Sequence, residues 1–79
     1  MPMTWRDLGQ RVKELRERRG MTQADLAARA ELSRIYIQKT ELGERMPHLK
    51  TLEAIARALH AELRVELVER RPRRKGGPR

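Results

Sequence analysis

Apolar residues recur three and four positions apart along most of the first sixty residues, which is the spacing of amphipathic helices. Trp5, Leu8, Val12 and Leu15 form the first stripe. Thr4 is placed to cap it, with Asp7 three residues on as a capping-box partner, and Gly20 ends it. A second start follows at once. Thr22 is the cap, Asp25 the third helical position, and Leu26, Ala27 and Ala30 the inward face. That face is made of small residues, so another helix can approach it closely. Glu31 and Leu32 break the pattern, and Ser33 caps a third short helix. At about 100° per residue, Ile37, Thr40 and Glu41 fall on one side of it and Ile35, Gln38 and Lys39 on the other, with Arg34 and Tyr36 flanking the outer face. Gly43 closes this helix, Glu44 to Pro47 form a loop, and Leu49, Leu52, Ile55, Ala56 and Leu59 make a fourth stripe.

The period then changes. Leu63, Val65 and Leu67 alternate with Glu62, Arg64 and Glu66, and alternation with β-branched residues favours a strand. Continuation of the fourth helix competes, because Leu59, Leu63 and Leu67 are also four apart. A strand over 62–69 has no neighbour within the chain, and an unpaired edge invites the same strand of a second subunit across a two-fold axis. Residues 70–79 contain two prolines, two glycines and little apolar content, and are expected to be disordered in isolation. The expected organisation is therefore a helical domain over 1–61, a dimerisation strand over 62–69 and a basic tail over 70–79.

Charge sharpens this division. The net charge is +8. Residues 1–69 carry 13 Lys/Arg against 11 Asp/Glu, or +2, and residues 70–79 carry 6 Lys/Arg and no acid, or +6. A basic tail suits a polyanion, since bound Lys and Arg release condensed counterions, although many basic tails merely solubilise. With 79 residues there is room for one small core. Cysteine is absent, which removes disulfides, thiol nucleophiles and Cys-based metal sites. No apolar run reaches the length of a membrane span, and no signal-peptide layout opens the chain. A cytoplasmic protein is the expectation.

A helix, a tight turn and another helix from Thr22 to Gly43 have the spacing of a DNA-binding helix-turn-helix. The outer face of the third helix is equipped for base edges and phosphates. An ordinary solvated face accounts for Gln38 and Lys39 but leaves Ile35 and Tyr36 needlessly exposed.

Residues 8–60 resemble the Cro/CI-type helix-turn-helix regulators, the XRE family. The resemblance is carried by R-x-x-x-G-M-T-Q-A-D-L-A from Arg16 to Ala27, L-S-R-x-Y-I from Leu32 to Ile37, E-L-G-x-R-x-P from Glu41 to Pro47, and T-L-E-A-I-A-R-A-L from Thr51 to Leu59. It implies an all-α, lambda-repressor-like domain of four to five helices. It also implies roles. Arg34, Ile35 and Lys39 match the positions that reach base edges. Gln23 matches the position that anchors a phosphate and can brace a recognition-helix side chain. Ser33, Tyr36 and Gln38 are expected near the DNA backbone or groove wall, and Arg45 and Lys50 are further phosphate contacts. Arg16 and Glu41 match a semi-buried ion pair between the first and third helices, which agrees with both charges falling beside apolar stripes.

The chain departs from the family pattern at four places. Glu31 replaces the glycine usual at the turn, Thr40 stands where an aliphatic residue packs, His48 replaces a serine cap, and His60 sits where a glycine ends the fourth helix.

No catalytic constellation is present. His48 and His60 lie at opposite ends of one helix, Ser33 has no nearby histidine base, and the glycines form no phosphate loop. No enzyme activity, cofactor or metal is expected. The expected function is a homodimeric, repressor-like regulator from a bacterium or phage that binds a palindromic duplex operator. Two alternatives stay open: an antitoxin that represses its own operon and binds a toxin, and an interaction module of the same fold that reads no sequence.

Overall fold

The computed structural model describes residues 4–71. Among them are four helices: α1 Trp5–Arg18, α2 Gln23–Ala30, α3 Arg34–Glu41 and α4 Leu49–Ala58. Three starts are fixed by side chains. Thr4 accepts from the Asp7 amide while Asp7 accepts from the Thr4 amide, and Thr22 with Asp25 repeats the arrangement. Ser33 Oγ accepts from the Tyr36 amide at 3.0 Å. His48 precedes α4 without a side-chain cap.

The four ends share one device, a residue with left-handed backbone: Gly20, Glu31, Gly43 and His60. In each case the following residue donates its amide back into the last turn, as in Met21 to the Arg16 carbonyl and Ala61 to the Ala56 carbonyl. Glycine takes this conformation freely. Glu31 (φ 59°, ψ 45°) and His60 (φ 54°) do not, and a left-handed non-glycine residue costs about 1–2 kcal/mol. The turn at Glu31 is therefore made with a left-handed non-glycine residue, at an energetic cost.

Helix α2 packs against both α3 and α4, and α1 packs against α3. The core joins Val12, Leu26, Ala27, Ala30, Ile37, Ile55, Ala58 and Leu59, with Met21 from the α1–α2 turn. The small face of α2 works as its composition suggests: Ala27 and Ala30 are buried between neighbouring helices. Leu8 and Ala56 of the stripes are only half-buried, and two stripe positions are exposed. Trp5 is 53% exposed and Leu49 is 54% exposed, each in the first turn of its helix.

The strand expected over 62–69 does not form. Residues 61–71 carry no helix or strand. Leu63 is half-buried, while Val65 and Leu67 are exposed, Leu67 fully. The reason is physical: a strand is defined by its ladder, and no other described segment offers one. The competing helical continuation fails too. His60 turns the backbone left-handed, and Arg19 crosses from the end of α1 to donate to the carbonyls of Leu59 (2.8 Å) and His60 (3.2 Å). Those acceptors are the ones that a longer α4 would need. Of the basic tail over 70–79, residues 72–79 lie outside the described residues.

Candidate nucleic-acid interface

Helix α3 has a hard inner side and an open outer side. Ile37, Thr40 and Glu41 are buried, Tyr36 and Gln38 are half-buried, and Arg34, Ile35 and Lys39 are exposed. The inner side is fixed to α1 by a bidentate ion pair. Arg16 Nε donates to Glu41 Oε2 at 2.6 Å, and Arg16 Nη2 donates to Glu41 Oε1 at 3.0 Å. The third guanidinium nitrogen, Nη1, donates to the Met21 carbonyl at 2.9 Å. Glu41 holds the Arg16 pKa above its ordinary value through these hydrogen bonds, against the opposing pull of burial. Arg16 is thus committed to architecture and is not a free cation.

Two further contacts tie α3 to α1. The Trp5 indole Nε1 donates to the Gly43 carbonyl at 3.2 Å. Gly9 sits directly on the last turn of α3: a Cβ there would collide with the Thr40 carbonyl oxygen and lie 3.1 Å from that of Glu41. Neither residue stood out as functional in the sequence. The signal for Gly9 was a glycine inside a helical stripe, which marks close backbone approach.

The outer side is assembled from three elements. Gln23, the first residue of α2, donates from Nε2 to Glu41 Oε1 at 3.1 Å and accepts at Oε1 from Arg34 Nη1 at 3.4 Å. In the loop after α3, the Arg45 guanidinium lies 4.9 Å from the centroid of the Tyr36 ring, a cation–π distance. Direct contacts therefore bring Gln23 to Arg34 and Tyr36 to Arg45. Ile35 and Lys39 stand exposed on α3, and Lys50 on the first turn of α4, without hydrogen bonds from their side chains to this group. Ser33 Oγ is used as an acceptor by the helix cap, which leaves its hydroxyl proton available.

The exposed side of α3 and the segments that follow it carry cations that are not held in ion pairs among the described residues. Arg34, Lys39, Arg45 and Lys50 enter no ion pair among the described residues, whose pairs involve Arg11, Arg16 and Arg64. Such a face attracts phosphate and adds salt-sensitive affinity. Among the described residues, no group of acidic or histidine side chains could hold a metal, and no helix is long and apolar enough to cross a membrane.

Comparison with known proteins gives this geometry a context. A helix-turn-helix family model matches residues 12–65. The immunity repressor protein of Bacillus phage phi105 is 48% identical over 52 residues, covering 66% of this chain and 36% of that protein. The HTH-type transcriptional regulator DdrOP3 of Deinococcus deserti is 39% identical over 49 residues, covering 62% of this chain and 38% of that protein. The chain thus spans little more than a third of the length of these curated relatives. Among solved structures, the restriction-modification controller protein C.AhdI from Aeromonas hydrophila superposes with a TM-score of 0.72 at 36% identity, over 73% of this chain and 88% of that one. The controller protein C.Esp1396I, solved as a tetramer with its natural 35 base-pair operator, gives a TM-score of 0.72 at 32% identity, over 78% of this chain and 82% of that one.

Proposed function

The chain belongs to the helix-turn-helix family, and we propose that it is a sequence-specific regulator of transcription, repressor-like in action, that lays α3 in the major groove of duplex DNA. The observation that carries this reading is the outer face of α3, where Arg34 is braced by Gln23 and where Arg34 and Lys39 enter no ion pair among the described residues.

Each residue then has a task. Arg34 reads a base edge, for which guanine offers two acceptors to a guanidinium. Ile35 and Lys39 make the neighbouring base contacts. Gln23, Ser33, Tyr36, Gln38, Arg45 and Lys50 fix register on the backbone, with Arg45 stacked on Tyr36 so that less of its freedom is lost on binding. Residues 62–69 supply the contact between two subunits, and the exposed Val65, Leu67 and Val68 support a partner there. Two copies would meet half-sites about 34–36 Å apart, or one turn of duplex. The basic residues of 70–79 add non-specific affinity. That C.Esp1396I was solved on an operator as a tetramer supports both operator binding and assembly here.

Selection from a random duplex library at fixed salt tests the proposal. The full chain should enrich a palindrome. Arg34→Ala should relax preference at one position per half-site by about 1–3 kcal/mol. Arg45→Ala should weaken all sequences alike and lower the salt slope by about one. Recovery of no preferred sequence would reject it.

A further inference from the structure

Glu41 is 6% exposed, and its carboxylate is held from two sides. Arg16 takes both oxygens, and Gln23 Nε2 donates to Oε1 at 3.1 Å. An ionised carboxylate can only accept hydrogen bonds, and a guanidinium can only donate them. The Gln23 amide lies between one of each. Only one orientation satisfies both: the NH2 end toward Glu41 and the oxygen toward Arg34. Turned over, the amide would set oxygen against carboxylate and NH2 against guanidinium, which is repulsive at both ends.

The buried charge therefore decides which way the half-buried amide of Gln23 points, and the amide oxygen decides where Arg34 finds a partner. At 3.4 Å the last bond is long for a charge-assisted one. It favours one direction for Arg34 without holding the side chain back from a ligand. A long side chain already limited in direction loses less rotamer freedom when it binds.

We infer that Glu41 is a positioning residue for base readout: through the fixed amide of Gln23 it aims Arg34, although it is itself too buried to touch DNA. The inference rests on the reading of Arg34 as a base contact. It differs from a purely structural role, in which the Glu41–Gln23 bond would only fasten α3 to α2 and base preference would be indifferent to it.

The experiment compares the full chain with Glu41→Gln, Gln23→Met and Arg34→Ala by duplex-library selection, together with NMR relaxation of the Arg34 guanidinium in the free protein. Glu41→Gln should reduce discrimination at the Arg34 position about fivefold or more and loosen the guanidinium, with other positions unchanged. Gln23→Met keeps the buried ion pair and so remains folded if Glu41→Gln does not. It should lower overall affinity and also produce the same local loss of discrimination. If Arg34→Ala alters the preference while Gln23→Met leaves both the preference and the Arg34 dynamics unchanged, the aiming role is wrong and the base contact stands. If Arg34→Ala leaves the preference unchanged, the base contact fails and the inference falls with it.

Discussion

Arg16 and Glu41, 25 residues apart in sequence, meet as a two-pronged ion pair with nitrogen–oxygen distances of 2.6 and 3.0 Å. Arg16 is 8% exposed, and its remaining nitrogen is used by the Met21 carbonyl. Removing one partner leaves the other charge buried without compensation, at about 3–5 kcal/mol. A single core of this size supplies about as much in total. Glu41→Ala should therefore be largely unfolded at 25 °C by circular dichroism. Replacing both, as Arg16→Met with Glu41→Leu, should recover most of the loss in urea titrations. Equal losses for the single and double replacements would show that the pair is not the cause.

Gly9 is a point where the backbone of α1 sits directly against the last turn of α3. The atoms that an added methyl would meet are carbonyl oxygens of α3, which cannot swing aside as a side chain can. Gly9→Ala gains helix propensity of about 1 kcal/mol but forces the helices apart at about 1–3 kcal/mol or more. The ion pair and the Trp5 contact would loosen with them. Net destabilisation and a shift in Trp5 fluorescence are expected in thermal melts; a more stable variant would mean that the helices separate freely.

Thr40 is 1% exposed, and its hydroxyl has no hydrogen-bond partner. An unsatisfied buried polar group costs about 1–3 kcal/mol, and valine has the same branched shape. Thr40→Val should raise the melting temperature by about 4–8 °C, the shift expected for 1 kcal/mol in a domain of this size. An unchanged or lowered melting temperature would mean that the hydroxyl finds a partner in solution.

Asp25 has its pKa lowered below the ordinary 3.8 by the Thr22 backbone amide and then by the Thr22 hydroxyl of the capping box. A group whose folded pKa is depressed adds stability above its unfolded pKa and gives it up as pH falls through the folded value. Wild type should therefore exceed Asp25→Asn in melting temperature at about pH 5, with the gap closing toward about pH 2. A gap independent of pH would assign the difference to geometry and not to the charge.

Much of the fold is local and therefore legible. Thr4, Thr22 and Ser33 cap helices in the structure as their spacing predicts, since a cap depends only on residues three apart. The stripes of α2 and α3 bury the residues they name. The pairing of Arg16 with Glu41 could be anticipated from two charges misplaced on apolar faces, together with the family pattern. Sequence also showed that the outer face of α3 sets Arg34, Gln38 and Lys39 beside Ile35 and Tyr36, which is the feature on which the proposed function depends.

Tertiary structure decided what depends on distance across elements. The family pattern already implied that Gln23 can brace a recognition-helix side chain; that it also meets Glu41, and that the side chain braced is Arg34, follows from how α2 crosses α3, and no periodicity encodes it. Arg19 as the terminator of α4 is another such contact, made 40 residues away. The segment 62–69 marks the limit from the other side. Its alternation is real in the sequence, but a strand exists only in a ladder, so a single chain leaves Val65 and Leu67 exposed. Pattern determines which face a residue occupies; only packing determines what that face meets.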